Sequence, residues 1–243
     1  MTTLWGFTGG SDGANPFGSL IADENTGALY GTTSGGGASG NGTVFKIDTV
    51  DQTLTTIYSF LGSPDGAGPD LGALLIDDKG ALYGTTPGGG AHGNGTVFKL
   101  TPPGHGQTSW TLSTLYAFTG GNDGSSPQST LIADAAGSLY GTTNLGGAIN
   151  TPTCTFVNGC GVVFKLIAGE HGQAPWTEIV LWTFSGGTDG SSPVAGLIAD
   201  NRGALYGTTV LGGNVNPQGP CGHDGCGVVF QLTGTGFATE DDD

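Results

Sequence analysis

The residues best suited to chemistry are carboxylates that recur in one short context. An Asp-Gly-x-x-Pro segment occurs four times, through Asp12/Pro16, Asp65/Pro69, Asp123/Pro127 and Asp189/Pro193. Carboxylates gathered about one axis would suit a hard cation such as Ca²⁺, which takes oxygen ligands. The same residues would equally serve as turn builders: Asp closes an Asx-turn, Gly takes positive φ, and Pro fixes the entry to the following strand. Asp12, Asp65, Asp123 and Asp189 are therefore candidate ligand-binding and calcium-binding residues, with the turn as the competing role.

A second set lies in loops of unequal length. The segments Ser34 to Gly42 and Pro87 to Gly95 have nine residues, whereas Asn144 to Gly161 and Val210 to Gly227 have eighteen. Only the long loops hold cysteines, Cys154 with Cys160 and Cys221 with Cys226. An even number in close pairs points to disulfides made in an oxidising compartment. A zinc site from both pairs is the alternative, but these spacings are wider than the usual metal knuckles. His92 and His223 fall in the same loops, and His223-Asp224 has the composition of an acid–base pair, although no nucleophile motif accompanies it. Phe156 is the candidate stacking platform for a sugar, while His105 and His171 sit in HGQ turns expected on the opposite face. The glycine-rich short loops lack the Lys-Ser/Thr ending of a phosphate cradle. Asn41-Gly42-Thr43 and Asn94-Gly95-Thr96 match a glycosylation sequon, but an Asn-Gly turn entering a strand explains them more simply.

The elements that must position these residues are legible as a repeat. Tyr30, Tyr83, Tyr140 and Tyr206 each stand in an identical LYGTT, at spacings of 53, 57 and 66 residues, and the growth comes from the loops. Each repeat reads as four short strands. An apolar block (Leu20 to Ala22, Leu74 to Ile76, Leu131 to Ala133, Leu197 to Ala199) leads through a D-x-x-G turn to LYGTT. Then come TVFK or VVFK around Phe45, Phe98, Phe164 and Phe230, and an aromatic-x-Phe strand at Tyr58/Phe60, Tyr116/Phe118 and Trp182/Phe184. The last repeat has no such ending, but Leu4-Trp5-Gly6-Phe7 supplies one at the other end of the chain. This offset predicts an all-β, four-bladed β-propeller with four strands per blade, the N-terminal strand closing the last blade, because closure protects strand edges. A β-solenoid or flattened barrel is the alternative, though a solenoid would call for atypical capping repeats. The propeller is expected over residues 1–235, with 236–243 as an acidic tail.

The combination of DG-x-x-P, LIAD-x-x-G-x-LYGTT, a GG loop, G-x-VFKL and WT-x-x-x-L-aromatic-x-F resembles the GloVer repeat of choice-of-anchor tandem-repeat proteins, over nearly the whole chain. The resemblance implies a bacterial secreted protein held at the cell surface by an interchangeable anchor. It carries no established activity.

Composition narrows the partners. Twenty acidic residues against five basic ones give a net charge of −15, which repels phosphate backbones and anionic membrane surfaces, so nucleic acid is not an expected partner. No stretch approaches the ~20 apolar residues of a membrane helix. No basic-then-apolar leader precedes the first strand, so a mature or trimmed secreted form, without signal or anchor, is expected. The leading expectation is a non-catalytic extracellular or cell-surface module that binds a glycan or a surface protein, needs no cofactor apart from a candidate calcium, and has an undetermined oligomeric state. The alternatives are a polysaccharide-active lyase or hydrolase using Asp and His of the same face, and a purely structural surface repeat.

Overall fold

The computed structural model describes residues 1–147, 154, 159–169, 175–214, 221, 222 and 224–239. Among them are sixteen β-strands and no helix. The chain divides into two compact units, Met1–Ala117 and Phe118–Asp243, each holding two of the repeats. In the first unit, β1 (Ile21–Ala22), β2 (Leu29–Thr33), β3 (Thr43–Asp48) and β4 (Thr53–Ser59) form one antiparallel meander. The strands β5 (Leu75–Ile76), β6 (Leu82–Thr86), β7 (Thr96–Thr101) and β8 (Thr111–Ala117) form another in the same order.

In the second unit, β10 (Ile132–Ala133), β11 (Leu139–Leu145), β12 (Val162–Ile167) and β13 (Thr177–Thr183) repeat the plan. A short extra strand, β9 (Ser125–Pro127), pairs with β11 inside what the sequence presents as a turn. The last sheet is β14 (Ile198–Ala199), β15 (Leu205–Thr208) and β16 (Val229–Leu232), three strands rather than the expected four. Residues 4–7, expected to supply the missing outer strand, carry no strand assignment. The other three outer strands arise locally, by hairpin connection to their own third strands.

The repeated residues work as fixed packing pairs. In β2, a Cβ added at Gly31 would lie 2.5 Å from Phe45 Cζ, and the same clash arises between Gly84 and Phe98, Gly141 and Phe164, and Gly207 and Phe230. The glycine of LYGTT is therefore the seat for the phenyl ring of the third strand. Each of the three sheets that has an outer strand also bulges at one place, between Val44/Phe45, Val97/Phe98 and Val163/Phe164, which turns that strand.

Aromatic edges join successive repeats within each unit. Phe60 meets Phe98 at 5.2 Å in the first unit, and Phe184 meets Phe230 at 5.2 Å in the second. The first core gathers Tyr30, Val44, Phe60, Leu82, Phe98 and Leu100, and the second Tyr140, Val163, Phe184, Leu197 and Leu205 together with Cys154 and Cys160.

At the first-to-second-strand end, the D-x-x-G Asp is an anchor. Asp77 accepts from the amides of Lys79 and Ala81 and from Tyr83 Oη at 3.0 Å, and Asp134 accepts from Ser138 N and from Tyr140 Oη at 2.8 Å. Lys99 and Lys165 lie over the Tyr83 and Tyr140 rings, each 5.0 Å from the centroid. Burial first, and then the neighbouring Asp, pushes both phenols well above their ordinary pKa. Phe237, beyond residue 235, meets Tyr140 with ring centroids 5.0 Å apart and planes tilted by 46°.

Candidate functional site

Antiparallel meanders place the Asp-Gly-x-x-Pro turns and the loops between second and third strands at the same end of each sheet. Backbone hydrogen bonds tie them together. Ala14 N donates to Gly35 O at 2.8 Å, Gly68 N to Asn41 O at 2.8 Å, and Ser192 N to Cys160 O at 3.0 Å. Each turn is thus sewn to the loop of its own repeat or of the one before it. The glycine of Asp-Gly is required by contact as well as by φ. A Cβ on Gly13 (φ +101°) would meet Thr33 Oγ1 at 2.3 Å, and Gly66, Gly124 and Gly190 face Thr86, Thr143 and Thr209 at the same distance.

Each Asp is engaged by its own turn. Asp12 accepts from Thr8 Oγ1 at 2.6 Å, Thr8 N at 2.9 Å and Trp5 Nε1 at 3.3 Å. The Thr8 hydroxyl, foremost, holds the Asp12 carboxyl below the usual carboxylate range. Asp65 is buried and accepts from Tyr58 Oη at 2.5 Å and Leu61 N at 3.1 Å. Asp123 takes Thr119 N and Oγ1 at 2.7 and 2.6 Å, and Asp189 takes Ser185 N and Oγ at 3.0 and 2.5 Å. Among the described residues no group of three or more His, Cys, Asp or Glu stands where it could hold a metal ion. The sequon threonines Thr43 and Thr96 are fully buried and bonded to Thr33 and Thr86.

The long loops share their base with the short ones. Gly36 pairs with Asn41 and Gly89 with Asn94 across the short loops, and Gly146 pairs with Gly159 in the same parallel fashion. Gly42 N bonds Gly36 O, Gly95 N bonds Gly89 O, Gly161 N bonds Gly146 O and Gly227 N bonds Gly212 O. The hydrogen bond that closes the loop base is therefore the same in the short and the long loops. Cys154 is joined to Cys160 and Cys221 to Cys226, each pair with Cα atoms 5.4 Å apart. The first bridge is buried within the second core, whereas Cys226 is exposed.

Of the other candidates, His92 is exposed at a loop tip, where its carbonyl accepts from Asn94 Nδ2. Asp224 is exposed and its backbone carbonyl accepts from Gly212 N at 2.6 Å. Phe156 and His223 lie outside the described residues, as does His171 of the opposite face. One ionisable group went unremarked in the sequence: Glu178 in β13. It faces Leu166 where the two preceding repeats place Leu54 opposite Ile47 and Leu112 opposite Leu100. Its Oε1 is buried with no hydrogen-bond partner, and burial, then the Asp123 charge, pushes its pKa up to about 7.

Antiparallel meanders linked by outer-strand phenylalanines, with loops sewn together at one end, define a β-propeller-like repeat protein. Residues 1–218 match the Gloeobacter/Verrucomicrobia repeat, and the chain belongs to that family. No curated protein matches it. Among solved structures, a gluconolactonase from Xanthomonas campestris is similar with a TM-score of 0.50 at 14% identity, over 80% of this chain and 56% of that one. A putative gluconolactonase gives 0.49 at 18% identity, over 89% of this chain and 63% of that one. An ulvan lyase gives 0.43 at 13%, over 86% and 46%. These neighbours are β-propeller-like, and the chain spans about 56 to 63% of the length of the two gluconolactonases.

Proposed function

We propose that this chain is a secreted or surface-displayed, non-catalytic module that recognises a glycan or a protein through the loop end of its sheets, with the two disulfide-braced loops as the reading surface. The observation that carries this reading is the common base of short and long loops. Two repeats keep a nine-residue loop, and two carry an eighteen-residue loop that holds a disulfide, while the hydrogen bond at the loop base is kept. Variable loops on a constant rigid frame are the usual arrangement of a binding surface. The bridges fit an oxidising, extracellular setting. Carbohydrate is the ligand class to test first, given that a gluconolactonase stands among the fold's neighbours.

The finer architecture in this reading is a four-bladed propeller whose last blade takes residues 1–8 as its outer strand. Two observations support it. Thr8 N and Trp5 hold Asp12 as Leu61 N and Tyr58 hold Asp65, so residues 5–8 stand before their turn as an outer-strand ending does. Val229 of β16 is 81% exposed, whereas its counterparts Val44, Val97 and Val163 are fully buried. Beside it runs a groove of about 290 Å³ lined by Trp182, Phe184, Val229, Phe230 and Leu232. By the register Val163↔Trp182, Trp5 would face Val229. A Trp5→Cys/Val229→Cys chain should therefore oxidise to a monomeric, internally cross-linked species. Free thiols or cross-linked dimers would remove the closed ring.

Function is tested by presenting the intact chain to a glycan array and to bacterial surface proteins, and by incubating it with any polysaccharide it binds. Saturable binding without release of reducing ends or unsaturated uronates is expected. Turnover would replace the binding module by a polysaccharide-active enzyme.

A further inference from the structure

We propose that residues 233–239 form a strap that binds across the third and fourth repeats as an extended peptide binds a groove, and that this strap, rather than β16, ends the fold. After β16 the chain crosses to the D-x-x-G turns of both repeats. Thr235 is buried, and its Oγ1 donates to Gly203 O at 2.8 Å. Gly236 O receives two donors, Tyr140 Oη at 3.0 Å and Lys165 Nζ at 2.8 Å. Phe237 lies on Tyr140, and Ala135 N donates to Ala238 O at 3.1 Å.

The receptor side is built for this segment. Lys165 is held by Asp134 at 3.7 Å, and its side chain is 13% exposed against 28% for Lys99, its counterpart in the second repeat. Tyr140 Oη already has Asp134 as an acceptor at 2.8 Å, so what the strap carbonyl supplies is a close acceptor for the part-buried Lys165 ammonium, which lies 3.7 Å from that carboxylate. Gly203 is the second device. A Cβ there would meet Phe237 O at 2.7 Å, while the equivalent Gly27, Gly80 and Gly137 have nothing within 4 Å. The first unit supplies an independent precedent, because Trp110, which follows β7, covers Tyr30 of the preceding repeat at 5.9 Å. Phe237, which follows β16, covers Tyr140 in the same way.

The D-x-x-G glycines Gly80, Gly137 and Gly203, with Gly27 of the one-residue-longer turn at Asp23, give a controlled test, since all have φ between +72 and +79° and suffer similar backbone strain on substitution. Gly203→Ala should lower Tm by about 5 °C more than Gly137→Ala or Gly27→Ala, the scale on which a chain of this length registers the loss of a packed contact with its hydrogen bonds. Phe237→Ala and a chain ending at Thr233 should show a similar fall. Hydrogen exchange should report faster exchange at the Ala135 amide in both, with the amides of Lys79 and Arg202 unchanged. Equal shifts for the glycine variants, or an Ala135 amide indifferent to truncation, would overturn the strap.

Discussion

Replacing Asp65 with Ala separates a turn-building carboxylate from a metal ligand. The side chain is 4% exposed and accepts from Tyr58 Oη at 2.5 Å and from Leu61 N at 3.1 Å. Its removal strands a half-buried phenol and a backbone amide, each costing about 1–3 kcal/mol when left unsatisfied. Water reaches part of Tyr58, so the lower part of that range applies, and the pair amounts to about 3 kcal/mol. For a chain of this length that corresponds to a fall in Tm on the order of 6–12 °C. Asp65→Asn keeps one acceptor oxygen and the Asx-turn, and should lose about half as much. Differential scanning calorimetry of the three chains, each with calcium and with chelator, reads both numbers. The turn account predicts curves indifferent to calcium and costs that add between repeats when Asp65→Ala is combined with Asp189→Ala. A calcium-dependent rise in the parent that Asp65→Asn abolishes, or an Asp65→Ala chain that melts within a degree of the parent, would refute it.

Two further perturbations follow from buried groups. The Glu178 carboxyl, raised to about 7 in the fold, favours the protonated folded state, so its contribution is fully present below its ordinary value of 4.5 and is lost as pH rises through 7. Tm should fall between pH 5 and pH 8. Glu178→Leu, which restores the residue type of positions 54 and 112, should remove this component and raise Tm at pH 8; a slope that survives the substitution would put the titrating group elsewhere. Each disulfide closes a loop of five or six residues and should contribute about 2 kcal/mol. Mass spectrometry under graded reductant should show the bridge with exposed Cys226 opening before the buried Cys154–Cys160 bridge, and the reverse order would contradict the burial assigned to them.

The sheets were readable because one residue pair recurs. Gly31 with Phe45 and its three counterparts are needed wherever a phenyl ring lies on strand backbone, so LYGTT and VFK mark second and third strands unambiguously. The Asp-Gly-x-x-Pro turns were legible as motifs, but their role was not. The sequence gives no means of choosing between a cation and the Thr8, Tyr58, Thr119 and Ser185 donors that take the carboxylates up. β9 was missed because Ser125–Pro127 carries turn residues, and its pairing with β11 is a tertiary contact that overrides them. Glu178 was hidden by a periodic pattern read at the level of strands, in which one carboxylate at a leucine position does not disturb the alignment. Residues 236–243 read as a tail because GFATEDDD is short and acidic, yet the Gly236 carbonyl and the Phe237 ring make specific contacts with Tyr140 and Lys165.

The loop surface itself is tested most directly by exchange. Because short and long loops share the base hydrogen bond, the eighteen-residue segments 144–161 and 210–227 can each be replaced by the nine-residue segment 87–95, which keeps that base while removing both disulfides, the core-buried Cys154–Cys160 bridge included. Parent and double-exchanged chains, each shown to be folded by circular dichroism and a cooperative melt, would be compared on one glycan and surface-protein array. The account predicts that the parent's specific signal disappears in the exchanged chain while the fold persists. Undiminished binding by the exchanged chain would contradict it, and would move recognition away from the disulfide-braced loops.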